Sequence, residues 1–198
     1  MTKTSFIYRN INYYRFVMSL LYRGKYYRRL KPVLRLISDK KVTEICFGDT
    51  IIAEYCRKRS IAWTGIDINE VFVANAIKKG LSAERNDIFS IAKLPEADTC
   101  IICGSLYHFN MSLESLFTKM LDCAPQIIIS EPVNNLSNNK GIIGKLAKAS
   151  AKVEGKTQAF RYTEKTLLDA LNELSKKLNF KYSVVDRFDK DIILLITK

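Results

Sequence analysis

One turn of the sequence contains a glycine and lies between two acidic residues. These residue types at this spacing indicate a ligand-binding site. Glu44 lies in a short apolar run, Gly48 stands in the turn 47–50, and Asp67 ends the next apolar run, 23 positions after Glu44. Such a turn lets a ligand lie against the backbone at the start of a helix. An acid at the end of the following strand, about 20 residues on, can accept both hydroxyls of a ribose. The spacing therefore predicts a nucleotide-type ligand.

Alternating strands and helices must position this turn. Short apolar runs predict the parallel strands, at 42–46, 61–66, 82–85, 98–103 and 126–130. Apolar residues at helical spacing predict the helices between them, at 51–59, 70–79, from 112 onward and at 163–176. The last two runs, 181–188 and 192–197, predict a hairpin. The predicted fold class is α/β, with a Rossmann-like, doubly wound, seven-stranded mixed sheet that ends in an antiparallel hairpin.

A basic segment precedes the sheet. Residues 1–41 contain eleven Lys or Arg and one acid, a net charge of +10 out of +12 for the whole chain. Apolar spacing predicts one helix over 6–22 and a second from 25 towards 38, with a kink or a restart at Pro32. We expect residues 1–40 to form a helical cap on a catalytic domain that spans 41–198. The free basic face can bind phosphate or an anionic membrane, or be only a solvated surface.

The strand ends together resemble the class I S-adenosylmethionine-dependent methyltransferases. Their first motif, a strand ending in acid-x-Gly-x-Gly-x-Gly, is matched by EICFGDT at 44–50, where only Gly48 of the three glycines is present. GIDIN at 65–69, ERNDIF at 84–89 and ADTCIICGSLYHF at 97–109 are similar to the next three strands of the family and keep its order. A fainter similarity to methyltransferases of bacterial surface-glycan pathways is carried by GSLYHF and by SEPVNNLSN at 130–138.

The resemblance implies S-adenosylmethionine as the methyl donor and a residue for each part of it. Glu44 is expected to fix the turn and face the donor's ammonium, directly or through water, while Gly48 lets the backbone approach the methionine end. Asp67 is expected to bind the ribose, with Ile68 on the adenine. The other implied contacts are Asp87 at the adenine amino group, Ile88 beside the ring, and Gly104 and Ser105 at the sulfonium. Phe47 and the missing glycines can narrow the turn and weaken donor binding.

Few side chains are candidates for a direct part in methyl transfer. Methyl transfer from a sulfonium is an in-line displacement of an activated group, so the protein mainly aligns the reactants and excludes water. No triad, zincin or P-loop motif occurs. His108, the only histidine, follows the fourth strand and suits a general base, although a lone histidine is commonly structural. Glu131, at the end of the fifth strand, is the second candidate base, and Tyr107 can line the methyl site or belong to the core.

The five cysteines predict reduced thiols. Their count is odd and most lie in apolar strands, which is typical of a cytoplasmic protein. Cys100 and Cys103 have C-x-x-C spacing, but positions three apart in one strand face opposite sides, and no second pair completes a zinc site. The sequence shows no signal-peptide pattern and no run of about 18 apolar residues. We therefore expect a cytoplasmic protein with neither a membrane span nor a metal.

The acceptor is predicted to be a small or conjugated molecule that bears phosphate or carboxylate and is methylated on oxygen. The basic N-terminal segment favours an anion, as does a Lys-rich connection at 132–161, which is far longer than usual and is predicted to contain a short helix at 144–152. This connection leaves the ligand end of the sheet, so it either walls the acceptor site or is a mobile insertion. A nucleotide-linked or lipid-linked sugar fits, with peripheral contact at the inner face of an anionic membrane.

Three alternatives stay open. Charge alone supports an RNA-binding or RNA-modifying methyltransferase, but the polar-Pro-Pro-aromatic motif of base N-methylating members is missing, and GSLYHF stands in its place. The reduced glycine turn leaves room for a non-catalytic α/β binding module. A nicotinamide-dependent oxidoreductase is the weakest alternative, because its fingerprint depends on the glycines that this turn lacks.

Overall fold

A single sheet of seven strands organises the computed structural model, which describes residues 6–38, 40–133 and 160–198. The strands are β1 Lys41–Ile45, β2 Ala62–Asp67, β3 Ser82–Arg85, β4 Thr99–Cys103, β5 Gln126–Pro132, β6 Lys181–Phe188 and β7 Asp191–Thr197. Their order is β3-β2-β1-β4-β5-β7-β6. The pairs among β1 to β5 are parallel, and β7 pairs antiparallel with both β5 and β6. The predicted mixed sheet with its terminal hairpin is confirmed.

Helices cover both faces of the sheet. They are α1 Ile11–Leu21, α2 Lys31–Leu36, α3 Ile51–Lys58, α4 Glu70–Lys78, α5 Leu113–Cys123 and α6 Glu164–Leu178. Side chains of α5 and α6 form one apolar cluster with the sheet, and those of α2, α3 and α4 form another. The adjacent β4 residues Ile101 and Ile102 belong to opposite clusters, as do Cys100 and Cys103. Burial on both faces explains why the parallel strands are continuous apolar runs.

The strand order reverses at β1, which lies between β2 and β4. Val42 pairs with Trp63 on one side and with Thr99 on the other. In open α/β sheets, ligands bind at such a switch point, in the crevice beyond the carboxyl ends of the strands. The backbone that follows β1, at Gly48, and the backbone that follows β4, at Gly104, therefore border one crevice.

The N-terminal segment differs from its prediction in two places. A 3-10 turn spans Phe6–Arg9, and α1 starts only at Ile11, because the Asn10 side chain caps it by accepting from two backbone N–H groups. The second helix, α2, begins only at Lys31, so of the two predicted alternatives at Pro32 the structure shows the restart and not the kink. Pro32 lies in the first turn of α2, where a missing N–H costs nothing. The predicted helix at 144–152 and most of the 132–161 connection lie outside the described residues.

Candidate active site

The turn after β1 keeps a left-handed backbone with only one glycine. Gly48 has φ +58°, and Cys46, which stands at the first glycine position of the motif, has φ +53°. A side chain in this conformation costs about 1–2 kcal/mol. The Cys46 N–H donates to the carbonyl of Ile66 (2.7 Å), which holds the residue in place. Cys46 therefore adopts a left-handed backbone of the kind that glycine favours, and the predicted narrowing of the turn stays a prediction.

Asp67 joins the end of β2 to this turn. Its Oδ2 accepts from the Gly48 N–H (3.0 Å) and its Oδ1 from the Asn69 N–H (2.8 Å). Burial raises the pKa of Asp67 to about 6, although these backbone donors act in the opposite direction. Each carboxylate oxygen retains a lone pair for a further donor, such as a ligand hydroxyl. Ile68, the next residue, is exposed and offers an apolar surface beside the carboxylate.

Glu44 lies on the buried side of the turn and not on a side that is open to solvent. The residue is buried, and its Oε2 accepts from the indole N–H of Trp63 (2.9 Å). Burial raises the pKa of Glu44 well above its ordinary value. The Trp63 ring in turn occupies the space beside Gly65, where a Cβ would stand 2.1 Å from the indole. A ligand ammonium could reach only the other oxygen of Glu44, so the contact predicted for this residue stays a prediction.

Helix α1 covers the turn from above. The Tyr14 hydroxyl lies 3.2 Å from the point that a Cβ on Gly48 would occupy. Arg15 pairs with Asp49, the residue after Gly48, through Nη2–Oδ1 at 2.6 Å and Nε–Oδ2 at 2.9 Å. The carbonyl of Tyr8 accepts from the Asn69 side chain (3.2 Å). Sequence reasoning predicted a cap but missed these contacts, because nothing in the sequence links Arg15 to Asp49.

The third strand end presents an acid and an aromatic ring. Asp87 is exposed, and its Oδ1 accepts from the Phe89 N–H (2.9 Å). Ile88 is buried in the core cluster, whereas Phe89 is exposed and packs edge-on against Phe109, with ring centroids 5.6 Å apart. The apolar side chain that is open to a ligand beside Asp87 is therefore Phe89. The signal was present in the sequence as the aromatic residue that ends ERNDIF.

A buried cation stands behind the exit of β4. Gly104 has φ +66°, and a Cβ there would lie 3.0 Å from Nη2 of Arg29. The Arg29 guanidinium is buried, donates to the Tyr22 hydroxyl (2.6 Å) and pairs with Asp191 (Nε–Oδ2 3.0 Å). Ser105 follows and leads into the 3-10 turn Leu106–Phe109. The N-terminal segment thus places a cation behind the loop that is predicted to border the donor's sulfonium. The sequence gave no indication of this contact.

Glu131 and Tyr107 lie together next to that turn. Glu131 is fully buried, and its Oε2 accepts from the Leu106 N–H (3.0 Å). Its Oε1 has no hydrogen-bond partner among the described residues. Burial raises the pKa of Glu131 to about 8, against the opposing effect of Arg161. Arg161 lies over the Tyr107 ring, with its guanidinium carbon 3.3 Å from the centroid. Glu131 therefore positions the β4 exit and carries one uncommitted oxygen.

His108 is a weaker base than the sequence predicts. Its ring centroid lies 3.8 Å from that of Tyr107, and its outer edge is open to solvent. Burial of the packed face, and next the Arg161 guanidinium, lower the pKa of His108 to about 4. The prediction of a base role used the ordinary pKa, which this environment does not preserve. His108 is neutral at pH 7 but holds a proton poorly, whereas ionised Glu131 holds one well.

Comparisons with known proteins match the fold but not the sequence. No protein-family model and no curated protein matches the chain. The magnesium protoporphyrin IX methyltransferase ChlM from Synechocystis PCC 6803, solved with bound SAH, matches with TM-score 0.67 and 14% identity, over 97% of this chain and 96% of that one. The plantazolicin methyltransferase BpumL, solved with SAH, matches with TM-score 0.67 and 16% identity, over 92% of this chain and 89% of that one. The chain has the fold of the class I methyltransferases.

Human N-acetylserotonin methyltransferase, solved with SAM, shares this methyltransferase fold with TM-score 0.64 and 18% identity. The match covers 97% of this chain and 57% of the human chain, so this chain spans little more than half of that enzyme.

The side of the crevice at the turn after β1 is acidic. Glu44, Asp49 and Asp67 lie close enough to influence one another, and Arg15 neutralises only Asp49. Such a field favours a cationic ligand, which would keep the carboxyl groups ionised, and disfavours a pyrophosphate. This argues against the nicotinamide alternative. Within the described ranges, no group of three or more His, Cys, Asp or Glu could hold a metal ion, and no helix is long and apolar enough to cross a bilayer.

Proposed function

We propose that this protein is a methyltransferase that uses S-adenosylmethionine as its donor. The observation that carries the proposal is the Asp67 carboxylate, fixed to the Gly48 N–H at the switch point of a methyltransferase fold. S-adenosylmethionine brings an activated methyl group, so the protein has to bind, align and exclude water. The three solved neighbours are named as methyltransferases of N-acetylserotonin, magnesium protoporphyrin IX and plantazolicin, which supports a small-molecule or peptide-type acceptor for this chain.

The residues of the crevice fit each part of this donor. Asp67 has lone pairs for the two ribose hydroxyls, and Ile68 and Phe89 offer apolar surface for the adenine, beside Asp87 for its amino group. The acidic turn favours the positive sulfonium and ammonium. The backbone of Gly104 and Ser105 would border the sulfonium, and the positive charge of Arg29, buried behind them, would attract the donor's carboxylate without touching it. Ile88 supports this surface from the core.

We propose an oxygen acceptor that carries a negative charge. Two cations support the charge: Arg161 over the Tyr107 ring, and Lys190, whose Nζ lies 3.7 Å from the centroid of Tyr22. Burial lowers the pKa of Lys190 to about 8, so the site also gains from an anion that restores its full charge. Glu131 would take a hydroxyl proton through Oε1 only in its ionised form, which a pKa of about 8 makes the minor form at neutral pH, and His108 is the neutral but weaker alternative.

We place the enzyme in the cytoplasm, because the described thiols, all five cysteines of the chain, are free. The N-terminal segment acts as a cap in this proposal, since Arg15 and Tyr14 hold it over the donor turn. A peripheral position at the inner face of the membrane is a separate proposal, because it depends on the outer side of α1 and not on the crevice.

Calorimetric titration with S-adenosylhomocysteine tests the donor site. We expect micromolar binding by the wild type and its loss in Asp67→Ala, because the variant has no acceptor for the ribose hydroxyls. Asp122→Ala, which removes an exposed acid on α5, is the matched control and should bind like the wild type. Thermal unfolding of each variant separates loss of binding from loss of folding. An intact wild type that does not bind would reject the enzyme in favour of a donor-free α/β module.

A further inference from the structure

Helix α1 has two apolar stripes, one buried and one exposed. Its inner side is buried through Val17 and Leu21, which pack with Tyr22 and Tyr26 in a small cluster. Its outer side exposes three large apolar side chains: Tyr13 at 37%, Phe16 at 64% and Leu20 at 40%. Their spacing of three and four positions places them in one stripe along the helix. We call this stripe the outer face of α1.

Basic residues flank the outer face in the sequence. Exposed basic residues precede it and follow it in the chain: Arg9, Arg23, Lys25, Arg28, Lys31 and Arg35. Residues 6–38 contain no acid at all, and residues 1–41 carry +10 of the net charge of +12. Tyr27, which is 53% exposed, adds another aromatic ring in the segment after the helix. The remaining 157 residues are close to neutral, so the charge is confined to the segment that bears the apolar stripe.

We propose that the outer face of α1 docks on an anionic lipid bilayer. Aromatic and aliphatic side chains flanked by Lys and Arg suit the headgroup layer, where the apolar groups enter and the cations meet lipid phosphates. A second copy of this chain fits poorly, since docking would bring two strongly basic segments together. A nucleic acid would satisfy the cations but would leave Leu20 and Phe16 without an apolar environment. The charge and the stripe together favour lipid.

This docking would place the donor turn close to the bilayer. Tyr14 and Arg15, on the same helix, contact the turn at Gly48 and Asp49. The helix therefore presents one side to the lipid and the other to the crevice, and needs no rearrangement to do both. The inference does not depend on methyl transfer, because it uses only the surface of α1.

Co-sedimentation with lipid vesicles tests the docking. Vesicles of phosphatidylcholine with phosphatidylglycerol should carry down the wild type, and vesicles of phosphatidylcholine alone should carry down much less. Phe16→Ser/Leu20→Ser should lower the affinity at least about tenfold, because it removes the inserted groups and keeps the charge. Ile77→Ser/Met111→Ser is the matched control, since these apolar side chains are 57% and 89% exposed outside the N-terminal segment. It should bind like the wild type, and added salt should weaken both.

Four results would overturn the proposal. The wild type could fail to bind the anionic vesicles, the outer-face variant could bind as well as the wild type, or both double variants could lose binding equally. A wild type that self-associates in gel filtration through Phe16 and Leu20, without binding vesicles, would instead make the face a contact between copies. If the outer-face variant does not fold, hydrogen exchange of the wild type decides, since amides of 9–23 should be protected by anionic vesicles and unchanged by neutral ones.

Discussion

Arg15 and Asp49 form a two-point ion pair between the N-terminal helix and the turn after β1. The distances are 2.6 Å for Nη2–Oδ1 and 2.9 Å for Nε–Oδ2, and the Asp49 side chain is almost fully buried. The parallel geometry of guanidinium and carboxylate is the strong form of such a pair. The turn that we assign to the donor is therefore tied to a residue 34 positions earlier in the chain.

Removing this pair should be costly. Arg15→Ala leaves the buried Asp49 carboxylate without its cation, and we expect the free energy of unfolding to fall by about 2 kcal/mol. We also expect weaker binding of S-adenosylhomocysteine, because helix α1 loses the ion pair that holds it against the turn. Urea unfolding measures the first effect. Arg187→Ala, which breaks the solvent-exposed pair with Glu164, is the control and should change stability little. Equal losses in both variants would contradict a special role for Arg15.

The left-handed backbone at Cys46 predicts an unusual order of substitutions. Cys46→Gly should change the free energy of unfolding by less than about 1 kcal/mol, because relief of the backbone offsets the lost side chain. Cys46→Val should cost about 2 kcal/mol or more, since β-branched residues strongly disfavour positive φ. Cys56→Val, at a buried helical position, should cost less than about 1.5 kcal/mol. Similar losses at positions 46 and 56 would show that backbone conformation is not the cause.

Gly104 and Gly80 separate backbone strain from side-chain crowding. Both have positive φ, +66° and +71°, but a Cβ on Gly104 would meet Arg29 at 3.0 Å, while one on Gly80 would meet nothing within 4 Å. We expect Gly104→Ala to lower the free energy of unfolding by about 1 kcal/mol more than Gly80→Ala does. Chemical unfolding of the two variants gives the comparison. If Gly80→Ala cost as much, Arg29 would not be confined against the β4 exit.

Donor binding should depend on pH through Asp67. Burial raises the pKa of Asp67 to about 6, from an ordinary 3.8, so the carboxyl is protonated below that pH in the folded protein. Ribose hydroxyls donate to the ionised form, and binding should therefore strengthen as pH rises through about 6 and then level off. Titration with S-adenosylhomocysteine between about pH 5 and 8 measures this. An affinity that stays flat would exclude Asp67 as the ribose ligand.

Stability should fall with rising pH through Glu131. Burial raises the pKa of Glu131 to about 8, above its ordinary 4.5, so the folded protein holds this proton more tightly than the unfolded chain does. That contribution is complete below about pH 4.5 and is lost as pH rises through about 8. Glu131→Gln keeps an acceptor for the Leu106 N–H and should flatten the decline in urea midpoint between about pH 6 and 8. Glu96→Gln, at an exposed site, should leave the decline unchanged.

The order of strands and helices could be predicted because each element carries its own local signal. The apolar runs of β1, β2, β4 and β5, each buried on both faces, and the helical spacing of α3 to α6 are visible in short windows of sequence. Asp67 was likewise placed by its position at the end of a strand. Its link to Gly48 follows from the parallel pairing of β1 with β2, which brings both residues to one edge of the sheet.

The cations of the site could not be predicted in the same way. Arg15 and Arg29 reach Asp49 and Asp191 over 34 and 162 positions, and nothing in a local window pairs them. The low pKa of His108 also depends on a distant residue, Arg161, and on packing against Tyr107. Electrostatic environments of this kind arise only when the chain is folded, so sequence reasoning assigned ordinary properties to the residues that it named.

The position of Trp63 has a practical consequence. It is the only tryptophan of the chain, its indole N–H is bound to Glu44, and its ring lies edge-on to Phe47, 5.3 Å between centroids, directly beneath the turn. All indole emission of the unmodified protein therefore comes from a side chain that contacts Glu44 and Phe47, next to the proposed donor site. Ligands that reorganise the turn can be screened by fluorescence without a label, and the signal comes from a single chromophore whose surroundings are known.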